Sequence, residues 1–499
     1  MEKVINYGIP HVGEQIFESI DTPGLLQCLL VSGTWQALAE NVLSKRWKDR
    51  LFEACESGET KIVQLLLERY NCEEIGLNVQ DNNHGWTPLM VACRKGHKEV
   101  VKSLLDHSGR SISLNARTKR GMTAFMFACR RGDKDIVQFL LTQSDRNIAL
   151  MANSFHLQYS PFVWACKIGH NCYWTLKGRD NDGWTPLMLA CQKGHQDVVK
   201  LLLDCSDKNI ELNGRDNKGC TPLMLACQKG HQDVVKLLLD CSDRNIELNG
   251  RDIFGWTPLM IACNTGQKDV VKWLLDRSDR NIELNGRNMA GYTALMLASV
   301  NGHKDVVKLL LDCSDRNIEL NGRNTAGYTA LMLASDNGHK DVVKLLLDHS
   351  DRNIDLNTGT VNYGCTALMF ACGKGHKDIV KLLLDCSDRN IELNGRDIDG
   401  WTPLMYACDT SGNEDVVKLL LDHSDRNIEL NAQNNRGSTA FMLACQRRNT
   451  NVVKLLLECS DRIDLTSKDL NVFMCAFDLG HLWREFNKQK KKKKEKSPG

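Results

Sequence analysis

From about residue 180 onward, apolar and polar positions recur along the chain in a fixed order. Thr185-Pro186 opens an apolar run to Cys191, a polar Gln192-Lys193-Gly194-His195 follows, and then come Val198-Val199 and Leu201-Leu202-Leu203. The first run predicts a helix of about two turns. Thr185 caps its start, Pro186 sits where a missing N–H costs nothing, and Gly194 ends it in the left-handed conformation. The second run has three- and four-residue apolar spacing, which predicts an amphipathic helix with Lys200 and Asp204 facing outward. A polar Ser206-Asp207-Lys208-Asn209 stretch closes it. Ile210-Glu211-Leu212-Asn213 and Gly214-Arg215-Asp216-Asn217-Lys218-Gly219 then read as a short extended segment and a turn.

The stretch from Thr185 to Asp207 is repeated residue for residue from Thr221, so the period is 36 residues and the copies arose by internal duplication. The same Thr position returns at Thr257, Thr293, Thr329, Thr366, Thr402 and Thr439. Earlier copies stand at Thr87 and Thr123, and weaker ones near Asp49, Ser160 and Asn471, which makes about thirteen units. Two short helices cannot bury both their faces alone, so each unit must stack on its neighbours. The expected architecture is an all-α solenoid of helix-turn-helix units with projecting loops.

One unit is irregular. Only 25 residues separate Ser160 from Thr185, and Asn171-Cys172-Tyr173-Trp174 replaces the second helix. Stacking is expected to falter there, either because the sequence carries a splicing or sequencing artefact or because the segment is a hinge. The expected organisation is a helical module at 1–48, units at 49–150, a truncated unit at 151–179, the main stack at 180–483 and a Lys-rich tail at 484–499.

Composition narrows the function. A formal net charge of +2 argues against a surface built throughout to attract nucleic acid. The start lacks a secretory apolar stretch and no apolar run approaches a bilayer span, so a cytoplasmic or nuclear location and no membrane partner are expected. Most of the 21 cysteines fall at two fixed positions of the repeat, where selective pairing is implausible, and they read as reduced thiols. Cys191 and His195 have ligand-like spacing, repeated at Cys227 and His231. In other copies one member is replaced, as at Gln267 and Ser299, so no closed metal site is expected. No Cys-x-x-Cys, P-loop or Gly-x-Ser-x-Gly motif occurs. Catalysis needs uniquely placed side chains, whereas nearly every candidate here is a copy. No cofactor and no catalytic residue are expected.

The pattern Gly183-Trp184-Thr185-Pro186-Leu187, Ala190-Cys191, Gly194-His195 and Val198-Val199 with Leu201-Leu202 resembles the ankyrin-repeat family over roughly residues 49–483. It departs in length, 36 residues against about 33, and in Met188, which stands where the family has His. Losing that His implies a stack held more by packing. The resemblance implies a concave face lined by turn tips and first helices, with protein as its ligand. The residue after the turn glycine is often aromatic: Trp86, Trp184, Trp256, Tyr292, Tyr328 and Trp401. Such rings serve either as interface anchors or as packing over neighbouring turns. Basic residues gather in the early units, at Arg94, Lys95, Arg130, Arg131, Lys193 and Lys229. They suggest an acidic or phosphorylated partner segment, against the simpler reading of a solvated charged face.

Residues 1–48 fall outside the repeat. Ile9-Pro10, Ile16, Ile20, Leu25-Leu26, Val31-Ser32, Trp35 and Trp47 resemble an F-box in order, with Ile in place of the first Leu and Gly13 inside the expected first helix. The resemblance implies that Ile9, Pro10, Ile16, Leu25, Leu26, Val31 and Trp35 dock a Skp-type adaptor beside a cullin scaffold, the repeats choosing the substrate of an SCF-type ubiquitin ligase. The alternative is a cap that shields the first unit, leaving an ankyrin scaffold, adaptor or enzyme regulator. Lys488 and Lys490 to Lys494 form a basic run, either a solubilising tail or a nuclear-import signal.

Overall fold

A computed structural model describes residues 50–69, 77–107, 112–144, 179–204, 210–240, 246–276, 282–313, 317–349, 354–386, 390–410, 413–422, 428–459 and 463. All regular structure among them is helical, and it repeats as expected. In the unit read above, the first helix is Pro186–Lys193 and the second Gln196–Asp204. Ten first helices among the described residues start behind a Thr whose hydroxyl accepts the N–H of the Met three residues on. Val198, Val199, Leu202 and Leu203 are buried as the spacing predicts, while Leu201 is half-buried.

The chain divides into two compact units, Met1–Ile246 and Glu247–Gly499. In the first, helices Pro88–Lys95, Ala124–Arg131, Pro186–Lys193 and Pro222–Lys229 pack in succession. In the second, the row runs Pro258–Asn264, Ala294–Val300, Ala330–Asp336, Ala367–Lys374, Pro403–Cys408 and Ala440–Gln446. The contact positions are small and fully buried: Ala190-Cys191 and its copies have no exposed surface, which lets helix axes approach closely. Burial pushes the thiols of Cys93, Cys191, Cys227, Cys372 and Cys408 well above the ordinary cysteine range, so these groups act as small apolar side chains. At Ser299 and Ser335 the same position carries a hydroxyl that is fully buried and finds no hydrogen-bond partner.

Three polar ladders join successive units. His231 reaches back so that its Nε2–H donates to the Gln192 carbonyl at 3.0 Å. Its ring fills the space beside Gly194, where an added Cβ would come within 2.4 Å of Nδ1. Arg251 donates to its own loop at the Gly255 carbonyl and to the next loop at the Arg287 carbonyl, 2.7 Å away. Asn249 accepts the N–H of Glu283 at 2.9 Å, and Asn285, Asn321, Asn357 and Asn394 repeat that bond.

One expectation is corrected. Stacking does not falter at the irregular segment, because helix Ala124–Arg131 packs directly on Pro186–Lys193. Arg117 donates to the Arg179 carbonyl across 62 residues, and His195 to the Arg130 carbonyl across 65. The next pair makes the same bonds across 36 and 39. Residues 151–178 of the predicted truncated unit lie outside the described residues. The Met that stands where the family has His keeps a weak polar contact to the capping Thr in four of the ten first turns. The Met188 sulfur, a weak acceptor, takes the Thr185 N–H at 3.3 Å, and Met90, Met224 and Met369 do the same.

The bonds that skip the irregular segment show an excess of 26 residues. Excising residues 152–177 joins Ile148-Ala149-Leu150-Met151 to Gly178-Arg179-Asp180, in the register of Ile210-Glu211-Leu212-Asn213-Gly214-Arg215-Asp216. That variant is expected to keep the helix content per residue and the urea midpoint of the parent, whereas a collapsed midpoint would mean that the segment carries part of the stack. Ser335→Cys, which matches the residue used in most copies, is expected to raise stability by about 1 kcal/mol by removing the unpaired hydroxyl, measured by chemical denaturation.

Candidate protein-binding surface

The turn before most first helices is built by an Asp or Asn, with Thr118 and Thr360 taking that place at two of them. Asp180 Oδ1 accepts the N–H groups of Asp182 at 3.0 Å and Trp184 at 2.7 Å, and Asp216, Asp252, Asn288, Asn324, Asp397 and Asn434 bond the ring position or its equivalent in the same way. The residue after the turn glycine is therefore held rigidly at the start of the first helix. Trp86, Trp184, Trp256, Tyr292, Tyr328 and Trp401 are all half-buried there.

Both readings of these rings have structural content. Trp86 stacks on His84 at 4.6 Å and meets Phe127 of the next unit edge-on at 6.2 Å. Tyr328 stacks on Phe370 of its neighbour at 5.3 Å, and Trp401 tilts against Tyr406 at 5.3 Å. Tyr406 in turn donates to Asp397 at 2.6 Å. Trp86, Tyr328 and Trp401 thus spend part of the ring on packing, and all six rings keep part of their surface exposed.

The basic positions separate into latches and free charges. Arg131 stands where the preceding glycine, Gly96, meets no histidine, and its guanidinium fills that space and donates to the Arg94 carbonyl at 3.3 Å. It is a structural latch, which its Lys/Arg-like exposure in sequence gave no reason to expect. The Arg94 guanidinium lies 4.4 Å from the Trp86 ring centroid, and Lys95 pairs with Glu56 at 3.0 Å. Arg130, Lys193 and Lys229 are exposed at the ends of their helices and make no ion pair among the described residues. Positive charge in the last turn also complements the helix dipole, which accounts for part of this placement. In the second unit the equivalent positions are neutral or paired, as in Asp336 with Lys374 at 4.0 Å and Asp409 with Arg447 at 2.9 Å.

Cys191 points into the core while His195 turns to the preceding unit, so the two do not converge, and no group of three potential ligands occurs among the described residues. No helix among those residues is long and apolar enough to cross a membrane. The adaptor-docking candidates Ile9, Pro10, Ile16, Leu25, Leu26, Val31 and Trp35, and the Lys-rich tail, lie outside the described residues.

Sequence reasoning missed the residues before the turn glycine. Ile253, Phe254, Met289, Val361, Tyr363 and Ile398 are exposed by 50–73%. The signal was present, since these positions differ between copies whose scaffold residues are the same.

A stack of capped helix pairs joined through projecting turns defines a repeat protein whose surface is suited to binding other proteins. The family model for ankyrin repeats matches residues 23–117, 51–153, 156–252, 241–324, 281–359, 315–397, 352–432 and 389–469, and the chain belongs to the ankyrin-repeat family. Its relatives include ankyrin repeat and SAM domain-containing protein 6 of Rattus norvegicus, 42% identical over 67 residues. That match covers 13% of this chain and 7% of the relative. Protein fem-1 homolog A of Danio rerio is 36% identical over 64 residues, 13% of this chain and 10% of the relative. The probable 26S proteasome regulatory subunit p28 of Saccharomyces cerevisiae is 30% identical over 152 residues, 29% of this chain and 64% of the relative. In each case the chain spans less than two thirds of the relative's length.

Proposed function

We propose that this ankyrin-repeat protein is the substrate-recognition subunit of an SCF-type cullin ubiquitin ligase. In this reading residues 1–48 dock a Skp-type adaptor, and the first unit holds an acidic or phosphorylated segment of the target. The observation that carries the recognition half is the set of unpaired cations, Arg130, Lys193 and Lys229, exposed at the ends of first helices that pack in succession. A carboxylate or phosphate gains charge-assisted hydrogen bonds there without breaking an existing ion pair. The adaptor half rests on the order of apolar residues from Ile9 to Trp35, and on likeness to a relative whose name attaches it to the 26S proteasome. Ubiquitin transfer belongs to other subunits in this scheme, which gives the chain no catalytic residue of its own and a place in the cytoplasm or nucleus.

A second reading has one observation in its favour. The ankyrin match begins at residue 23, inside the F-box-like segment, which suits a helical cap and an ankyrin scaffold or enzyme regulator without a ligase role.

Co-purification of the intact chain and of a version lacking residues 1–48 separates the two. The ligase reading expects a Skp-type adaptor and cullin to be retained by the intact chain alone. Absence from both, under conditions in which a known F-box protein retains them, leaves the cap and scaffold.

A further inference from the structure

The ends of successive first helices meet in a repeated slot. The second residue after the buried Ala-Cys or Ala-Ser pair reaches back to the first residue after that pair in the preceding repeat. Lys95 meets Glu56 there at 3.0 Å, Lys374 meets Asp336 at 4.0 Å and Arg447 meets Asp409 at 2.9 Å. Asn301 donates to the Asn264 side-chain oxygen at 3.0 Å. Each of these slots sets a donor against an acceptor.

The slot between helices Ala124–Arg131 and Pro186–Lys193 does not. Its two positions hold Arg130 and Lys193, both exposed and neither in an ion pair among the described residues. The backbone brings the two helix ends together, because His195 donates to the Arg130 carbonyl at 2.9 Å. The acid nearest in sequence, Asp133, is already engaged: its carboxylate accepts the Ile136 N–H at 3.2 Å and lies 3.7 Å from Lys98 Nζ. In the slot before this one Arg94 and Arg131 also stand together, but both have partners there. Arg94 lies over the Trp86 ring at 4.4 Å, and Arg131 donates to the Arg94 carbonyl. The slot after it sets Lys229 against the uncharged Gln192. A helix dipole favours a cation at the end of each helix, but it gives no reason for two cations to share a slot that elsewhere holds an acid.

We propose that the Arg130–Lys193 slot binds a phosphate monoester carried on a side chain of the partner segment, an assignment that rests on the recognition half of the function proposed above and narrows it to one place and one chemistry. A phosphoryl group brings about two negative charges and three acceptor oxygens, enough to neutralise both cations at once. A carboxylate brings one charge and leaves one cation unmatched. The guanidinium of Arg130 offers a planar fork to two phosphate oxygens, and the Lys193 ammonium offers a point charge to the third. The partner thus supplies the anion that other repeats supply from their own chain.

The test is fluorescence polarisation of the full chain against degenerate peptide pools that carry phosphoserine, Glu or Ser at one central position. The phosphoserine pool should bind about tenfold or more tighter than the Glu and Ser pools. Lys193→Gln should remove that preference. Arg130→Glu, which places in this slot the kind of acid that Glu56 places in its own, should remove it too while the melting midpoint holds or rises, because the new carboxylate pairs with Lys193. Lys374→Gln, which breaks a pair elsewhere in the stack, should leave the preference intact. Equal binding of the phosphoserine and Glu pools overturns the phosphate slot and leaves acidic recognition standing, as does a preference that survives Arg130→Glu and Lys193→Gln. Failure of both anionic pools to bind overturns the slot and the recognition half together.

Discussion

The glycine that ends a first helix has no Cβ, and the histidine of the following unit occupies the space a Cβ would need. At Gly302, held at φ 72°, an added Cβ would lie 2.5 Å from Nδ1 of His339, and the Nε2 of that ring bonds the Val300 carbonyl at 3.0 Å. One contact thus ends a helix, satisfies an orphan carbonyl and sets the distance and register of the next unit. The same pairing recurs at Gly58 with His97, Gly132 with His195, Gly194 with His231, Gly266 with His303 and Gly338 with His376. At two places where histidine is missing another side chain stands in: Asn413 donates to the Cys372 carbonyl beside Gly375, and Arg131 covers Gly96. The role is constant while the residue changes, which identifies a requirement of the stack.

With the register set there, the Arg and Asn ladders hold the loops at fixed height and leave the tips free to differ. Scaffold and recognition are separated by position within one 36-residue unit. Duplication copies the scaffold, and changes at the tip or at the end of the first helix alter the surface at little cost in stability. The first unit accordingly presents exposed cations, one of them over a half-buried ring, and the second presents exposed apolar side chains at several of its loop tips.

The fold was almost wholly legible, because its signals are local and repeated: Thr caps, left-handed glycines and apolar spacing recur in copy after copy among the described residues. The bonds between units were less legible. Asn249 and Arg251 resemble ordinary loop residues, and only the spatial neighbour 36 residues away shows that they are fasteners. The contact of Arg131 was hidden for the same reason, since a latch and a solvated cation look alike in one dimension. The skipped segment lay further out of reach. Period counting located the irregularity, but whether a stack breaks or closes over an insertion depends on whether Gly132 can receive His195, a contact across 63 residues of sequence. Of the candidate surface, the rings after the turn glycine stand out in sequence because an aromatic recurs there, whereas the exposed tips before it differ from copy to copy and repeat no signal.

Hydrogen exchange on the full chain carrying Gly302→Ala tests the account most directly. A methyl group at a left-handed position, pressed against His339, should cost about 1–3 kcal/mol and lower amide protection in both Ala294–Val300 and Lys340–Asp348, on either side of the contact. Loss confined to the helix that carries the substitution would contradict the claim that this contact joins one unit to the next.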